Sequence, residues 1–488
     1  MDGILSNISL DDIIAVVDEY IWYLAFIVLI GAGLYLTYKF KGIQFTRFIE
    51  SMKLSFGGTK STSEQSVSSM EAFWVGVGAR IGIGKIAGVA MAIILGGAGA
   101  IFWIWVFALI SCASCFAECT LGQIFKDKKS DGLFHGGPAY YIRDGLKNPK
   151  FAKLVAILIV LTYAVGFIGI QASSATASLV DTFDAEKYRM IFAIALAATT
   201  GLMMIRGIKG VAKSLAKIVP LVSIVWFFMV IVTVVFNWRY IDDAIIMIVK
   251  GAFGLDSIMG GTLAAAVMWG MKRSVFSNTA GIGAIPNVSS AADVRHPVEQ
   301  GLSQSFGVIL DTIICTGTAL IILTSSDMGS LLGIGNGIEL VSAAMAAGPF
   351  GVYAPYLLTG IILIFVIISI VSSYSICEVN LMFLSEKPIY SAMLKIGILL
   401  SIFVSSILPA DIVWSLSDIL MAALGIANMV AVLKLTDYVM EALRDYNRQR
   451  AANKVPVFNR SRISLDASGI SVWGERTDVD VKPEAAES

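Results

Sequence analysis

The chain has 488 residues, 57% of them hydrophobic and 15% charged, with a mean hydropathy of +0.79. Apolar runs long enough to cross a bilayer recur along most of its length, which excludes a water-soluble globular protein and makes the lipid bilayer its medium. The 36 basic and 36 acidic residues cancel, leaving no basic footprint for nucleic acid, and no nucleic-acid partner is expected; only the placement of Lys and Arg is informative.

Residues 1–38 hold no Lys or Arg but do hold Asp2, Asp11, Asp12, Asp18 and Glu19, unlike a cleaved signal, so the first apolar run is expected to stay in the mature protein. Eleven spans are read along the chain, at about 20–38, 70–95, 98–124, 152–180, 188–205, 216–236, 258–285, 302–325, 354–384, 389–408 and 412–434. Lys39, Lys41, Arg47, Lys53 and Lys60, then Lys126, Lys128, Lys129, Arg143, Lys147 and Lys150, then Arg206, Lys209 and Lys213 all fall on one side, which is therefore expected to be cytoplasmic. The opposite loops hold few basic residues and carry Asp181, Asp184, Asp242, Asp243, Asp327 and Asp411. An N-terminus outside and a C-terminus inside the cell membrane follow, as an odd number of spans requires.

Two stretches interrupt apolar spans with glycine, Gly78–Gly88 and Phe276–Pro286, and both contain Gly-Ile-Gly, at Gly82–Gly84 and Gly281–Gly283. Unwound backbone at membrane depth survives only where protein or a cavity satisfies its N–H and C=O groups. Matching breaks in two halves point to a carrier's binding site. With the first helix as an accessory, ten spans divide five and five, each half opening on a broken helix that enters from the opposite side, the pattern of an inverted repeat. The expected organisation is an accessory helix and linker over 1–60, a first repeat over 61–250, a second over 251–435 and a cytoplasmic tail over 436–488. Within the tail a short charged helix precedes residues read as polar and loose.

Ionisable residues inside a span need a partner or water. Arg80 and Lys85 flank the first triplet, and Lys272 and Arg273 precede the second. They either line a polar cavity facing an anionic group or pair with Glu118 or Asp311 to hold the breaks open. Ser277, Asn278 and Thr279 offer short oxygens and an amide beside unwound carbonyls, suited to a small hard cation or an ammonium group, or else they cap helix ends. Gln171, among small residues, is a pocket wall or an interhelical hydrogen bond. Cys112, Cys115 and Cys119 share a helix face. His135 and His296 are the only histidines, both fall in expected loops, and there is no CxxC pair, so close packing is favoured over a metal site. Cys315 and Cys377 read as ordinary buried thiols. No nucleophile with its base and no phosphate loop is present, so the chain is not expected to be an enzyme or to hold a cofactor.

At ARIGIGKIAGVAMAIILGGAGAIFWIWVFALI, FAECTLGQ, HGGPAYYI, KRSVFSNTAGIGAIPN, HPVEQGL and GVILDTIICTGTALIIL, the sequence resembles the alanine/glycine sodium symporter family, in the family's order and over about residues 20–450. The resemblance implies an all-α, LeuT-type fold of about eleven transmembrane helices with one extra N-terminal helix. It also implies sodium-driven uptake of alanine or glycine, with a site between the two broken helices. The substrate contacts it implies are Gly82, Ile83, Gly84, Gln171, Phe276, Ser277, Asn278 and Thr279, and the ion-coupling positions are Gly78, Ile81, Lys85, Asp311, Thr312 and Ser369. The coupling ion is sodium or a proton.

The chain departs from the family at those positions. The family's Gly-Thr-Gly-Asn stands here as Gly82, Ile83, Gly84 and Lys85, and its Ser-Asn-Glu-Ala-Gly as Ser277, Asn278, Thr279, Ala280 and Gly281. Its Ser-Thr pair in the ninth span aligns with Ile368 and Ser369, and in the stretch that follows only Glu378 and small residues survive. A lysine in place of a sodium-ligating asparagine puts a tethered ammonium where the cation would sit, and a sodium ion beside it would be repelled at low dielectric. The alternative is that Lys85 pairs or snorkels elsewhere while sodium uses backbone carbonyls and Ser369. The function expected is transport of a small neutral amino acid with weakened or proton-replaced sodium coupling. The alternative is a binding or sensing protein that keeps the fold without transporting.

Overall fold

The computed structural model describes residues 10–58, 66–130, 132–205, 207–255, 262–331 and 333–474. Helix α1 (Leu10–Lys39) leads through a short turn to α2 (Phe48–Gly57), and α3 (Ser69–Arg80) opens the first repeat. Its start is fixed by a capping box: the Glu71 N–H donates to Ser68 Oγ and the Ser68 N–H to the Glu71 carboxylate. After an irregular stretch, α4 (Ala87–Gly96) continues at 61° to α3. Then come α5 (Gly99–Ile124), α6 (Pro138–Asp144), α7 (Pro149–Leu161), α8 (Ile168–Phe183), α9 (Arg189–Met204), α10 (Gly207–Phe236) and α11 (Ile241–Ala252). Proline at the first turn of α6 and α7 supplies a fixed φ where no N–H partner is lost.

The second repeat opens with α12 (Leu263–Asn278), breaks, and resumes in α13 (Ile285–Ser289), followed by α14 (Pro297–Leu323), α15 (Gly337–Ala346), α16 (Ala354–Leu384), α17 (Pro388–Ser405) and α18 (Ala410–Lys434). Helix α19 (Thr436–Ala451) and the segment to 474 close the chain. Among the described residues eight helices are long and apolar enough to cross a membrane, and nine with the bent α3–α4 pair. The other two expected spans are occupied by α9 and α12, 16 residues each. A two-strand pair, β1 (Asp127–Lys128) with β2 (Phe134–His135), puts His135 in a strand instead of the expected loop.

Small residues bring the helices together. A Cβ on Gly99 would lie 2.1 Å from the Gly251 backbone, and one on Gly301 the same distance from Thr120 Oγ1, so α5 packs closely on both α11 and α14. The outward faces of α9 and α10 stay apolar, as at Ile191, Leu202, Ile224 and Phe228, which is what a lipid environment requires.

The tail departs from expectation. Between Ala452 and Gly474 it folds back onto the bundle: Phe458, Ile470 and Trp473 are buried, Trp473 Nε1 donates to the Gln123 carbonyl at 2.8 Å and the Phe458 N–H to the Arg295 carbonyl at 3.0 Å. Three large apolar side chains spread through a polar stretch anchor it. Upstream, α19 reaches α2 through Tyr446 and Arg450, both on Glu50, and α2 packs Phe56 edge-on against Phe73 of α3.

Candidate functional site at the paired helix breaks

The first break is tighter than the glycine spacing suggested. Helix α3 runs to Arg80, Ile81 and Gly82 are extended, and one 3₁₀ turn over Ile83–Lys85 precedes α4. In the second, Thr279 at φ 51°, Gly281 at φ 86° and Gly283 at φ 77° carry the chain from α12 to α13. The glycines meet left-handed backbone at no steric cost, whereas Thr279 adopts it against its preference.

Each break is satisfied from the neighbouring elements. Glu118, buried in mid-α5, accepts hydrogen bonds from the Gly281 N–H (3.1 Å), the Gly283 N–H (3.0 Å) and Asn428 Nδ2 (2.8 Å). Asn428 also donates to the Gly281 carbonyl and accepts from the Tyr141 hydroxyl. Arg80 ties the two breaks together, with Nε donating to the Asn278 carbonyl at 2.8 Å and Nη2 to Cys115 Sγ at 3.1 Å. Glu118 is therefore a cap for the second break and pairs with neither Arg80 nor Lys85. Cys115, Glu118 and Cys119 lie within metal-ligand range of one another, but the carboxylate is spent on three donors and a guanidinium sits on one thiol, a poor setting for a cation.

Lys85 finds the other partner. Its ammonium, fully buried, pairs with Asp311 and lies 3.3 Å from Ser277 Oγ, which itself donates to Asp311 Oδ2 at 2.8 Å. The three side chains form one buried cluster between the 3₁₀ turn of the first break, α12 and α14. Lys272 and Arg273 lie on the face that carries the start of α1: Lys272 pairs with Asp18 at 2.8 Å and Arg273 with Asp418. The Arg273 guanidinium is 4.7 Å from the Trp414 ring centre and 5.4 Å from that of Trp269. Above it a cavity of about 390 Å³ opens between Asp18, Ser173, Trp269, Asn336 and Trp414.

Gln171 Oε1 accepts the Ile83 N–H at 2.9 Å, and a Cβ on Gly82 would fall 2.7 Å from the same amide. A Cβ on Gly84 would meet the Phe276 ring at 2.6 Å. Phe276 stacks on Phe167 (4.8 Å, 7°) and Phe167 on Tyr163 (4.6 Å, 11°). Tyr163 and Phe167 belong to a π-helical turn, Thr162–Phe167, joining α7 to α8; such a bulge turns side chains that a regular helix would aim elsewhere. The Tyr163 hydroxyl is buried without a hydrogen-bond partner among the described residues. Gly82, Ile83, Gly84, Gln171, Phe276 and Ser277 thus converge. Asn278 caps its own chain, accepting from the Ala280 N–H at 2.9 Å, and the Thr279 hydroxyl is buried without a hydrogen-bond partner among the described residues.

Among the ion-coupling positions, Thr312 donates to the Val308 carbonyl of its own helix. Ser369 is buried on α16, but the α16 hydroxyl that faces Gly78 belongs to Ser372, 2.8 Å from where a Gly78 Cβ would stand. Ser372 Oγ has no hydrogen-bond partner among the described residues. Sequence reading passed over Tyr163, Phe167 and Ser372; an ionisable Glu118 inside a 26-residue helix was the clearest available signal for the residue that caps the second break.

Two broken helices crossing at a buried polar cluster, each in one half of a five-and-five repeat, define a membrane transporter of LeuT-type fold and not an enzyme. The backbone superposes on the crystal structure of MhsT in complex with L-phenylalanine with a TM-score of 0.54 at 13% identity, covering 78% of this chain and 99% of that one. The chain belongs to the sodium:alanine symporter family, whose model matches residues 7–460. It is 36% identical over 466 residues to the probable sodium/glutamine symporter GlnT of Bacillus subtilis, covering 95% of this chain and 96% of that protein. It is 31% identical to the sodium/alanine symporter AgcS of Methanococcus maripaludis, over 89% of this chain and 96% of that one.

Proposed function

We propose that the protein carries a small neutral amino acid across the cell membrane with weakened sodium coupling, because a tethered ammonium stands in for one of the coupling cations. The observation behind this is the Lys85–Asp311–Ser277 cluster at the crossing of the breaks. A buried carboxylate and hydroxyl beside unwound backbone make a cation site, and Lys85 fills it from within the chain. A sodium ion added there would face an ammonium across a few ångströms of low dielectric.

A second cation position is better suited to sodium. Gly78 and Ile81, at the end of α3, would supply carbonyls, and Ser372, whose buried hydroxyl lacks a partner, would supply a side-chain oxygen. The substrate lies between the breaks. Its carboxylate competes with Gln171 for the Ile83 N–H, since freed amides at a half-helix start suit an anion. The ammonium end is received by backbone carbonyls of the second break and not by Ser277 Oγ, which lies 3.3 Å from the Lys85 ammonium. The Phe276–Phe167–Tyr163 stack bounds the side chain, and Ile83, which has no hydroxyl to donate, restricts the range to apolar or small groups. Relatives named for alanine and for glutamine support an amino-acid substrate. Loops rich in Lys and Arg support a cytoplasmic C-terminus.

Uptake of labelled alanine, glycine and glutamine into proteoliposomes tests this, with and without an inward sodium gradient and with an inward proton gradient. The expected result is uptake in the native protein that responds weakly to sodium, and a stronger response in Lys85→Asn. Strong sodium drive in the native protein overturns the tethered-cation reading. No uptake of any amino acid in either protein overturns transport and leaves a sensor.

A further inference from the structure

Outside the central site, a second cavity of about 390 Å³ lies where α10 begins, α16 ends and α17 begins, lined by Leu133, Lys209, Tyr374, Glu378, Ser391 and Lys395, with Lys387 at its rim. Glu378 is only 8% exposed; one carboxylate oxygen accepts from the Ser391 hydroxyl at 2.5 Å, and the other, buried, has no partner within hydrogen-bond distance among the described residues, with the Tyr374 hydroxyl interacting with the same carboxylate. A buried carboxylate oxygen left unpaired is costly, so it marks a place for a donor from outside the chain. Glu386, which also lines the cavity, is committed to Lys129 at 3.0 Å. The Lys395 ammonium, 5.7 Å from the Tyr374 ring centre, and that of Lys387 have no ion pair among the described residues.

The ligand must therefore bear both signs. A simple anion would be repelled by Glu378 and a simple cation by the lysines. The unpaired oxygen further calls for a hydrogen-bond donor, and among cationic groups a primary ammonium supplies one while a quaternary one does not. The mouth supplies the remaining constraint. Ile389 and Met393, on α17 close in sequence to the lining residues Pro388 and Ser391, are 61% and 58% exposed apolar side chains, and the basic ends of α10 and α17 place the cavity where headgroups meet hydrocarbon.

We propose that this cavity binds the headgroup of an aminophospholipid from the leaflet on the tail face, the ammonium on Glu378 and the phosphate between Lys387 and Lys395, with the acyl chains along the outer face of α17. None of the residues that line this cavity belongs to the proposed substrate or ion positions, so the proposal does not depend on the transport reading.

Native mass spectrometry of the full chain, titrated separately with phosphatidylethanolamine, phosphatidylcholine and phosphatidylglycerol, tests it. The ethanolamine lipid is expected to be retained about tenfold better than the choline lipid, as one charge-assisted hydrogen bond allows. Glu378→Gln should erase that preference, and the double variant Lys387→Ala/Lys395→Ala should lower retention of all three lipids. Should Glu378→Gln fail to fold, the lysine double variant, which alters only partly exposed positions, still tests the phosphate half. Equal retention of the ethanolamine and choline lipids by the native protein, or a preference that survives Glu378→Gln, overturns the proposal. A matched titration with glycerophosphoethanolamine separates the sources: no thermal shift is expected, and a shift equal to that of the lipid would move the ligand to the cytosol and overturn the lipid assignment.

Discussion

Lys85 and Asp311 are the pair whose removal says most. Lys85 is wholly buried and the Asp311 side chain is 3% exposed. Lys85→Met leaves the carboxylate with the Ser277 hydroxyl at 2.8 Å as its main remaining support. Breaking one side of a buried ion pair costs about 3–5 kcal/mol, because the orphaned charge remains desolvated. Asp311→Asn strands the ammonium at a cost of the same order. Removing both charges removes the desolvation with them, so Lys85→Met/Asp311→Asn is expected to lie within about 2 kcal/mol of native, giving a coupling energy of about 4 kcal/mol or more.

Thermal unfolding in detergent, read on all four proteins with and without sodium, measures the cycle and the ion together. In Lys85→Asn the carboxylate is freed for an external cation, and sodium at ten times its dissociation constant adds about 1.4 kcal/mol. The native protein should gain less. Single variants as stable as the double one, or equal sodium stabilisation of native and Lys85→Asn, would refute the claim that the ammonium holds the cation's place.

Gly84→Ala puts a methyl within 2.6 Å of the Phe276 ring; overpacking of this kind costs about 1–3 kcal/mol, and uptake should be lost and then partly restored by adding Phe276→Leu. Glu118→Gln turns an amide N–H₂ toward Gly281 or Gly283, whose N–H groups the carboxylate now receives at 3.1 and 3.0 Å, so a loss of about 2–4 kcal/mol is expected in thermal unfolding. Trp473→Ala empties a buried site and forfeits the bond to Gln123; tail docking should weaken by about 3–5 kcal/mol, seen as faster proteolysis beyond Ala451 with the bundle intact. His296 lies buried between Tyr446 and Phe458, 3.6 Å from Asp445. Burial holds its pKa below the ordinary value against the pull of Asp445, with Arg462 acting in the same direction as burial. The folded state therefore binds fewer protons than the freed tail, and docking should weaken as pH falls below about 6.5; proteolysis rates that do not rise between pH 7.5 and 5.5, taken as about one unit either side of that value, would contradict this.

The parts of this molecule legible in sequence are those that local chemistry dictates. A glycine triplet inside an apolar run has few explanations in a bilayer, so both breaks could be placed, and an aspartate in mid-helix had to answer some buried cation. Which cation it answered was not local: Lys85 and Asp311 stand 226 residues apart, and the same rules left Glu118 equally eligible. Tyr163 and Phe167 escaped notice because a π turn leaves no mark on apolar periodicity; its effect is to rotate rings toward Phe276 that a 3.6-residue period assigns to another face. The tail was misread for a related reason. Its composition is that of a loose segment, and only the matching sockets at Gln123, Lys126 and Arg295 convert Phe458, Ile470 and Trp473 from scattered apolar residues into anchors. Those anchors, through α19 and Glu50 of α2, reach Phe73 on α3, the first half of the first broken helix. A segment that composition alone would dismiss is thus linked, through α19 and α2, to the first half of the broken helix that carries Gly78 and Arg80.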